Sequence, residues 1–376
     1  MKLVKAGESH GEAIAGIIEN VPFGLKINAD EINALLAERS CAYGRGSRQK
    51  NENNRARFIA GISQGKTTGG NIAFLVENAV KNYYELNPNG EKTTREACGG
   101  NDVTAVRPGH ADLAGLYRFG AGDCRVVSEG ASARSTCADA VAGGVALQFL
   151  SDLKIKIAAC VSGLPGYSFN GATGFENISL VKPPFYVSGD DENRVKTLAD
   201  GAASAGDTLG GTVTLAVKGI KAGFGCYTSE KRVDGLIASL LMKIPSVKGV
   251  YFGKNPFENL KGSEYISPIK KDDAHGGFYS ENNECGGITG GMTDGNEILV
   301  TVAVKPVPTL PMGVKTIDYA SGKTVIAARP RGDVTSVFAC VSILKATLAL
   351  GLTEIICERI GCDNMQNITA RYEALK

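Results

Sequence analysis

Three histidines are spread over 376 residues, and two of them stand in polar, glycine-rich turns. His10 lies in Gly7-Glu8-Ser9-His10-Gly11, and His110 closes Arg107-Pro108-Gly109-His110. A histidine between glycines is badly placed to pack a core. It is well placed to meet a ligand, because glycine admits close backbone approach and imidazole changes charge near neutral pH. Arginines accompany them: Arg39, Arg45, Arg48, Arg55 and Arg57 crowd one stretch, and Arg107 and Arg134 follow. Guanidinium groups bind carboxylate and phosphate through a planar fork. Proton transfer on a phosphorylated, anionic molecule is the chemistry these types could do together.

Other segments carry weaker signals, each with a plain alternative. Ser132-Ala133-Arg134-Ser135 opens an alanine-rich stretch, where a helix N-terminus would offer unpaired N–H groups to an anion. The simpler reading makes Ser132 an N-cap. Gly286 to Thr293 has paired glycines but neither a P-loop ending nor dinucleotide spacing. Asp333, after Arg331-Gly332, is either an N-cap or a carboxylate held for proton transfer. His275 reads as a surface-loop residue, and no cluster suggests a metal.

The elements that must position these groups are mixed along the chain. Helical periodicity and capping predict helices over 30–39, 132–153, 231–243 and 333–360. β-branched runs predict strands over 58–62, 71–76, 156–162, 212–217 and 298–304. Residues 253–283 are polar and glycine-rich, as loops over a site would be. No linker divides the chain, so the expectation is one α/β or α+β domain spanning 1–376. Forty-one basic against 39 acidic residues give no whole-molecule reason to bind nucleic acid or membrane. Ten cysteines without regular spacing, no apolar leader and no long apolar run predict a reduced, cytoplasmic protein.

Taken in order, these segments resemble one family, chorismate synthase. The resemblance runs through Gly7–Gly11, Tyr43-Gly44-Arg45-Gly46-Ser47-Arg48, Thr67–Gly70, Val76-Glu77-Asn78 and Arg107–Asp112. It continues through Ser132-Ala133-Arg134, Val247-Lys248-Gly249, Gly286–Thr293, Lys305-Pro306 and Arg331-Gly332-Asp333. It implies a β-α-β sandwich and a lyase that eliminates phosphate from 5-enolpyruvylshikimate 3-phosphate, giving chorismate with reduced FMN. By resemblance His10 protonates the departing phosphate, His110 adjusts the flavin's protonation, and Asp333 assists removal of the ring proton. Ser9, Arg39, Arg45, Arg48, Arg107 and Arg134 bind substrate or shape its pocket, with NADPH implied at Arg39 and Arg45 in some members. FMN contacts map onto Gly130, Ala131, Ser132, Pro245, Ser246, Gly290, Lys305, Pro306, Val307, Pro308, Thr309 and Arg331. A homotetramer is implied as well. The sequence departs from the family's pattern at Gly130, Ser135, Pro245, Val307, Val334 and Lys345. A relative that binds flavin or anions without turnover, or acts on another substrate, is the alternative reading.

Overall fold

The structure is a computed structural model, and it describes residues 1–46, 54–79, 102–169, 171–255, 261–272, 277–327 and 332–375. Arg48, His275 and Arg331 lie outside the described residues. Two antiparallel sheets carry the fold. The first joins β1 (Lys2–Ala6), β2 (Ala13–Glu19), β3 (Ala56–Ala60) and β4 (Ile72–Glu77) in the order β1-β2-β4-β3. The second joins β5 (Lys156–Leu164), β6 (Tyr167–Ser168), β7 (Gly211–Lys218), β8 (Val247–Phe252) and β9 (Ile298–Val304) in the order β8-β9-β7-β5-β6.

Helices fill the space between the sheets. Helix α1 is Ala29–Cys41, α2 is Asp112–Phe119, α3 is Cys124–Gly130, α4 is Thr136–Asp152, α5 is Val233–Met242 and α6 is Val337–Ile360. Helix α4 packs on β1, β2 and β5, and against α6, which in turn lies on β5 and β7. One apolar cluster runs without a break from Ile14 and Phe74 through Val141 and Leu344 to Leu215 and Val302. Small residues let the two central helices touch. A Cβ on Gly143 would come within 2.4 Å of the Ala346 backbone, so only glycine fits there. In the second sheet five consecutive residues, Val213–Val217, are buried. Alternation is lost because the outer face is also covered, by Phe175 and Ile178 of a short helix.

The expected strands and helices over these regions are present, with shifted ends. The largest shift is in α6, which begins at Val337 with Ser336 as N-cap, four residues after Asp333. Asp333 is therefore not a cap. Its segment is held extended by Val334 N–H donating to Gly44 O and Leu209 N–H donating to Val334 O. Ser132 caps a single 3-10 turn, Ala133–Ser135, that precedes α4. Helix α6 is long and apolar enough to cross a bilayer by composition, which corrects the expectation of no such run. Here it is the core, with almost all its apolar residues buried. Within 253–283 the described residues form a helical turn, Gly262–Tyr265, and a hairpin, Ile269–Asp272 with Gly277–Ser280.

Candidate active site

A cavity of about 450 Å³ opens where the β1–β2 turn, α3, the start of α4 and the ends of β8 and β9 converge. Its wall includes Ser9, His10, Arg39, Arg45, Arg107, His110, Arg134, Lys305 and Asp333. Residues separated by up to 327 positions, Ser9 and Ser336, are thus brought to one chamber. Glycine makes the β1–β2 turn possible: Gly7 has φ +128, and a Cβ there would stand 2.5 Å from Ala13 O.

Each histidine is paired with a carboxylate. His10 Nδ1 lies 2.8 Å from Glu129 Oε1, and its backbone N–H donates to Glu129 Oε2 at 2.9 Å. Both side chains are nearly buried. A carboxylate accepts, so Nδ1 carries the hydrogen and proton exchange with a ligand falls to Nε2. His110 Nδ1 lies 2.6 Å from Asp112 Oδ1 and 3.1 Å from Arg107 Nη2. The nitrogen cannot donate to one and accept from the other. The shorter contact, to a carboxylate, decides for Nδ1–H donating to Asp112. Asp112 is fully buried at the first turn of α2, and its oxygens also accept from Arg107 N, Nε and Nη2. Burial alone would raise its pKa. The hydrogen bonds from His110 and Arg107, with Arg107's charge, outweigh burial and hold it well below the usual carboxylate range.

The cations divide by function. Arg39 Nε donates to Thr136 Oγ1 and Nη2 to Ala133 O, tying α1 to the turn before α4. Arg134 donates to Asn78, Asn54 and the Glu77 carbonyl, so it braces β4 against that turn. Arg45 Nη1 pairs with Asp333 Oδ2 at 2.8 Å, while Gly46 N–H donates to Asp333 Oδ1 at 2.7 Å. Lys305, at the end of β9, donates to Gly109 O at 2.6 Å and so holds the turn of His110. Burial, and then the charge of Lys248, lowers the Lys305 pKa. Among these described residues five cations, Arg39, Arg45, Arg107, Arg134 and Lys305, face three carboxylates, Glu129, Asp112 and Asp333. The excess of two positive charges suits an anionic ligand.

Several residues implied by the resemblance stand in this wall. Ala131, Ser132, Pro245, Ser246, Val307, Pro308 and Thr309 line it with the histidines and arginines. Ser246 has φ +77, unusual for a residue with a side chain, at the rim of the chamber. Three expected cofactor positions fall elsewhere. Gly130 ends α3 facing open space, Pro306 is not in the wall, and Gly290 lies in an exposed turn beside Met292. The described part of 253–283 contributes no wall residue either. Glu129, Asp112 and Asn54 were not singled out. Asp112 could have been, since an acid two residues after a histidine at a helix start can reach back to it. Glu129 gave no signal, because its partner is 119 residues away.

The family model described as chorismate synthase matches residues 1–357. The chain belongs to the chorismate synthase family. A chorismate synthase of Thermus thermophilus is 37% identical across 99% of this chain and 98% of its own. One from Carboxydothermus hydrogenoformans is 36% identical across 99% and 97%. A solved chain described as the crystal structure of chorismate synthase superposes with a TM-score of 0.76 at 25% identity, covering 99% of this chain and 96% of its own. As a chorismate synthase the chain is a carbon–oxygen lyase. It eliminates phosphate from 5-enolpyruvylshikimate 3-phosphate to give chorismate, with reduced FMN as cofactor, in aromatic amino acid biosynthesis.

Proposed function

We propose that the cation-rich cavity is the reaction chamber, holding substrate and flavin together, with His10, His110 and Asp333 as the residues that move protons. The observation that carries this reading is the pairing of both histidines with buried carboxylates in one chamber. The substrate's two carboxylates and phosphate and the cofactor's phosphate are anions that must be paired once out of water. Arg39, Arg45, Arg107, Arg134 and the undescribed Arg48 supply the countercharge. The flavin side of the chamber is formed by Ala131, Ser132, Ser246, Lys305 and Thr309, whose hydroxyl, amide and ammonium donors fit a phosphate beside a flat ring. The chamber's volume is in the range of cofactor sites.

Reduced FMN, when bound, supplies transient electron donation to the substrate ring. This chain's residues do the rest. His10, fixed by Glu129, delivers a proton from Nε2 to the phosphate as its C–O bond breaks. His110, held by Asp112, keeps a proton next to the flavin position. Asp333, anchored by Arg45 and Gly46, assists removal of the ring proton. By resemblance Arg331 belongs to the flavin contacts as well. NADPH at Arg39 and Arg45 is the reductant in this reading. The continuous core supports one catalytic domain over 1–376. A homotetramer is supported by Val4, Ile17 and Ile59, apolar and exposed on strands of the first sheet. The nine described cysteines are free thiols, as in a cytoplasmic protein.

Anaerobic incubation with reduced FMN and 5-enolpyruvylshikimate 3-phosphate tests the reading. Phosphate and chorismate should appear in equal amounts, and His10→Ala and His110→Ala should each slow turnover about 10²–10⁴-fold. FMN binding without turnover in the unaltered chain would favour the non-catalytic relative.

A further inference from the structure

A second cavity, of about 140 Å³, shares no wall residue with the chamber. It lies between the last turn of α1, the start of β5, the middle of α6 and the segment that leads from the short helix of Phe175 and Ile178 to Tyr186. Lys345 enters it from α6, where Ile343, Leu344, Ala346 and Thr347 around it are all buried. The Lys345 ammonium makes no hydrogen bond and has no carboxylate within 4.0 Å among the described residues. Glu38 of α1 faces the same space. Its Oε2 accepts from the Tyr186 hydroxyl at 3.2 Å, and its Oε1 accepts from no described residue. The exposed Lys182 is turned aside, its Nζ donating to Ser179 O at 3.2 Å. The rest of the wall is largely apolar, with Ile157, Ile178 and Val341. A cation and an anion thus share a small cavity without meeting each other.

We propose that this cavity binds a free α-amino acid with a small aliphatic side chain, its carboxylate on Lys345 and its ammonium on Glu38. A charge drawn out of water is tolerable only when paired, and here both charges are open to a partner. An inorganic anion would satisfy Lys345 but meet the Glu38 carboxylate. A metal cation would satisfy Glu38 but meet Lys345. A zwitterion answers both, because its two charges stand on neighbouring atoms and can span the gap that the side chains leave. The apolar wall then takes the side chain. A cavity of this volume holds a molecule of about benzene's size, which admits alanine or valine and not an aromatic amino acid. Burial lowers the Lys345 pKa, Glu38 opposes that shift, and Lys182 adds to it. A ligand carboxylate beside the ammonium would reverse the shift, so the lysine gains from the same contact that holds the ligand. The bound molecule would join α1 to α6.

Calorimetric titration of the full chain at pH 7 tests this with L-valine, isobutyrate, isobutylamine and L-phenylalanine. Isobutyrate keeps the carboxylate and lacks the ammonium, and isobutylamine does the reverse. Valine should bind, and each half-ligand should bind at least about 10-fold more weakly, the low end for losing a hydrogen bond to a charged group. Phenylalanine should also be weaker than valine, because its ring exceeds the space. Lys345→Met keeps the stem without the charge, and Glu38→Gln keeps an acceptor for Tyr186. Each should weaken valine by at least about 10-fold. Valine should also raise the melting temperature of the unaltered chain in a concentration-dependent way, and not that of the two variants. No valine binding at tens of millimolar, isobutyrate binding as tightly as valine, or valine binding unchanged in both variants would overturn the proposal. The comparison of ligands needs only the unaltered chain, so it decides even if a variant fails to fold.

Discussion

Glu129 holds His10 through both carboxylate oxygens, one on the ring and one on the backbone N–H of the same residue. The ring's position and its hydrogen are thereby set by a single side chain on α3. Glu129→Gln should keep the fold and a hydrogen bond to the backbone but lose the charge that steadies a protonated His10. Turnover is expected to fall about 10–100-fold, less than for His10→Ala, with KM little changed. A raised KM with kcat unchanged would show that Glu129 serves ligand binding and does not position the proton donor.

Asp112 makes a prediction about stability. Its folded pKa is depressed, so its contribution is present above the unfolded value near 3.9 and is lost as pH falls through the folded value. The stabilisation from this group should therefore be flat from neutrality to about pH 4 and decline only in stronger acid. Asp112→Asn should destabilise by about 3 kcal/mol, the low end for breaking a buried pair, because Arg107 keeps some solvent contact. Urea unfolding at pH 7 and pH 3 checks both parts. The variant's deficit should be smaller at pH 3, because the unfolded aspartate takes up a proton below about 3.9 while the folded pair stays ionised.

Much of this was legible in the sequence, and the limits have physical causes. Strands such as Ile298–Val304 were visible because β-branched runs have little choice of conformation. The start of α6 was misread because an acidic residue before an apolar helix looks like a cap, and only the fold reveals that Arg45, 288 positions away, takes its carboxylate. The histidine turns stood out by composition. Their carboxylate partners did not, since Glu129 is an ordinary helix residue until the β1–β2 turn folds over it. Gly290 and Gly130 show the reverse, places where motif order pointed to the chamber and the chain's geometry does not.

The contact between the central helices is the tightest test of the core. Gly143→Ala places a methyl 2.3 Å from the Ala346 Cβ with backbone directly behind it, so α4 and α6 must separate. Overpacking of this kind costs about 1–3 kcal/mol. Thermal unfolding should register it. Because both helices begin beside the chamber, turnover should fall as well, whereas Gly262→Ala, with open space at the Cβ, should change neither.

Asp333→Asn is informative because capping is no longer an explanation for this residue. Asparagine can still accept from the Gly46 N–H but cannot form the ion pair with Arg45. If the carboxylate assists removal of the ring proton, the variant should stay folded and bind FMN and substrate, yet turn over about 10²-fold or more slowly. If it serves only to anchor the Arg45 turn, Arg45→Lys and Asp333→Asn should be equally impaired, chiefly in substrate affinity. Steady-state kinetics of the two variants separate these outcomes.

The shared chamber predicts coupling between its two ligands. Substrate and FMN would both draw on the same excess of positive charge, so charge alone would make each weaken the other. Against that, both would order the same turns, those of Arg45, His110 and Ser246, and the ligand that binds first bears that entropic cost. Ordering should win, because Arg107 and Arg45 are already braced by Asp112 and Asp333 and the chamber's net charge is modest. FMN should therefore bind at least about 10-fold more tightly with a substrate analogue present, and linkage requires the analogue to gain by the same factor. Raising the salt concentration should weaken both ligands and leave the coupling nearly intact, since screening acts on charge and not on ordering. Equilibrium titration of each ligand with and without the other measures the factor. Independent binding would mean that the two anions do not share this cavity.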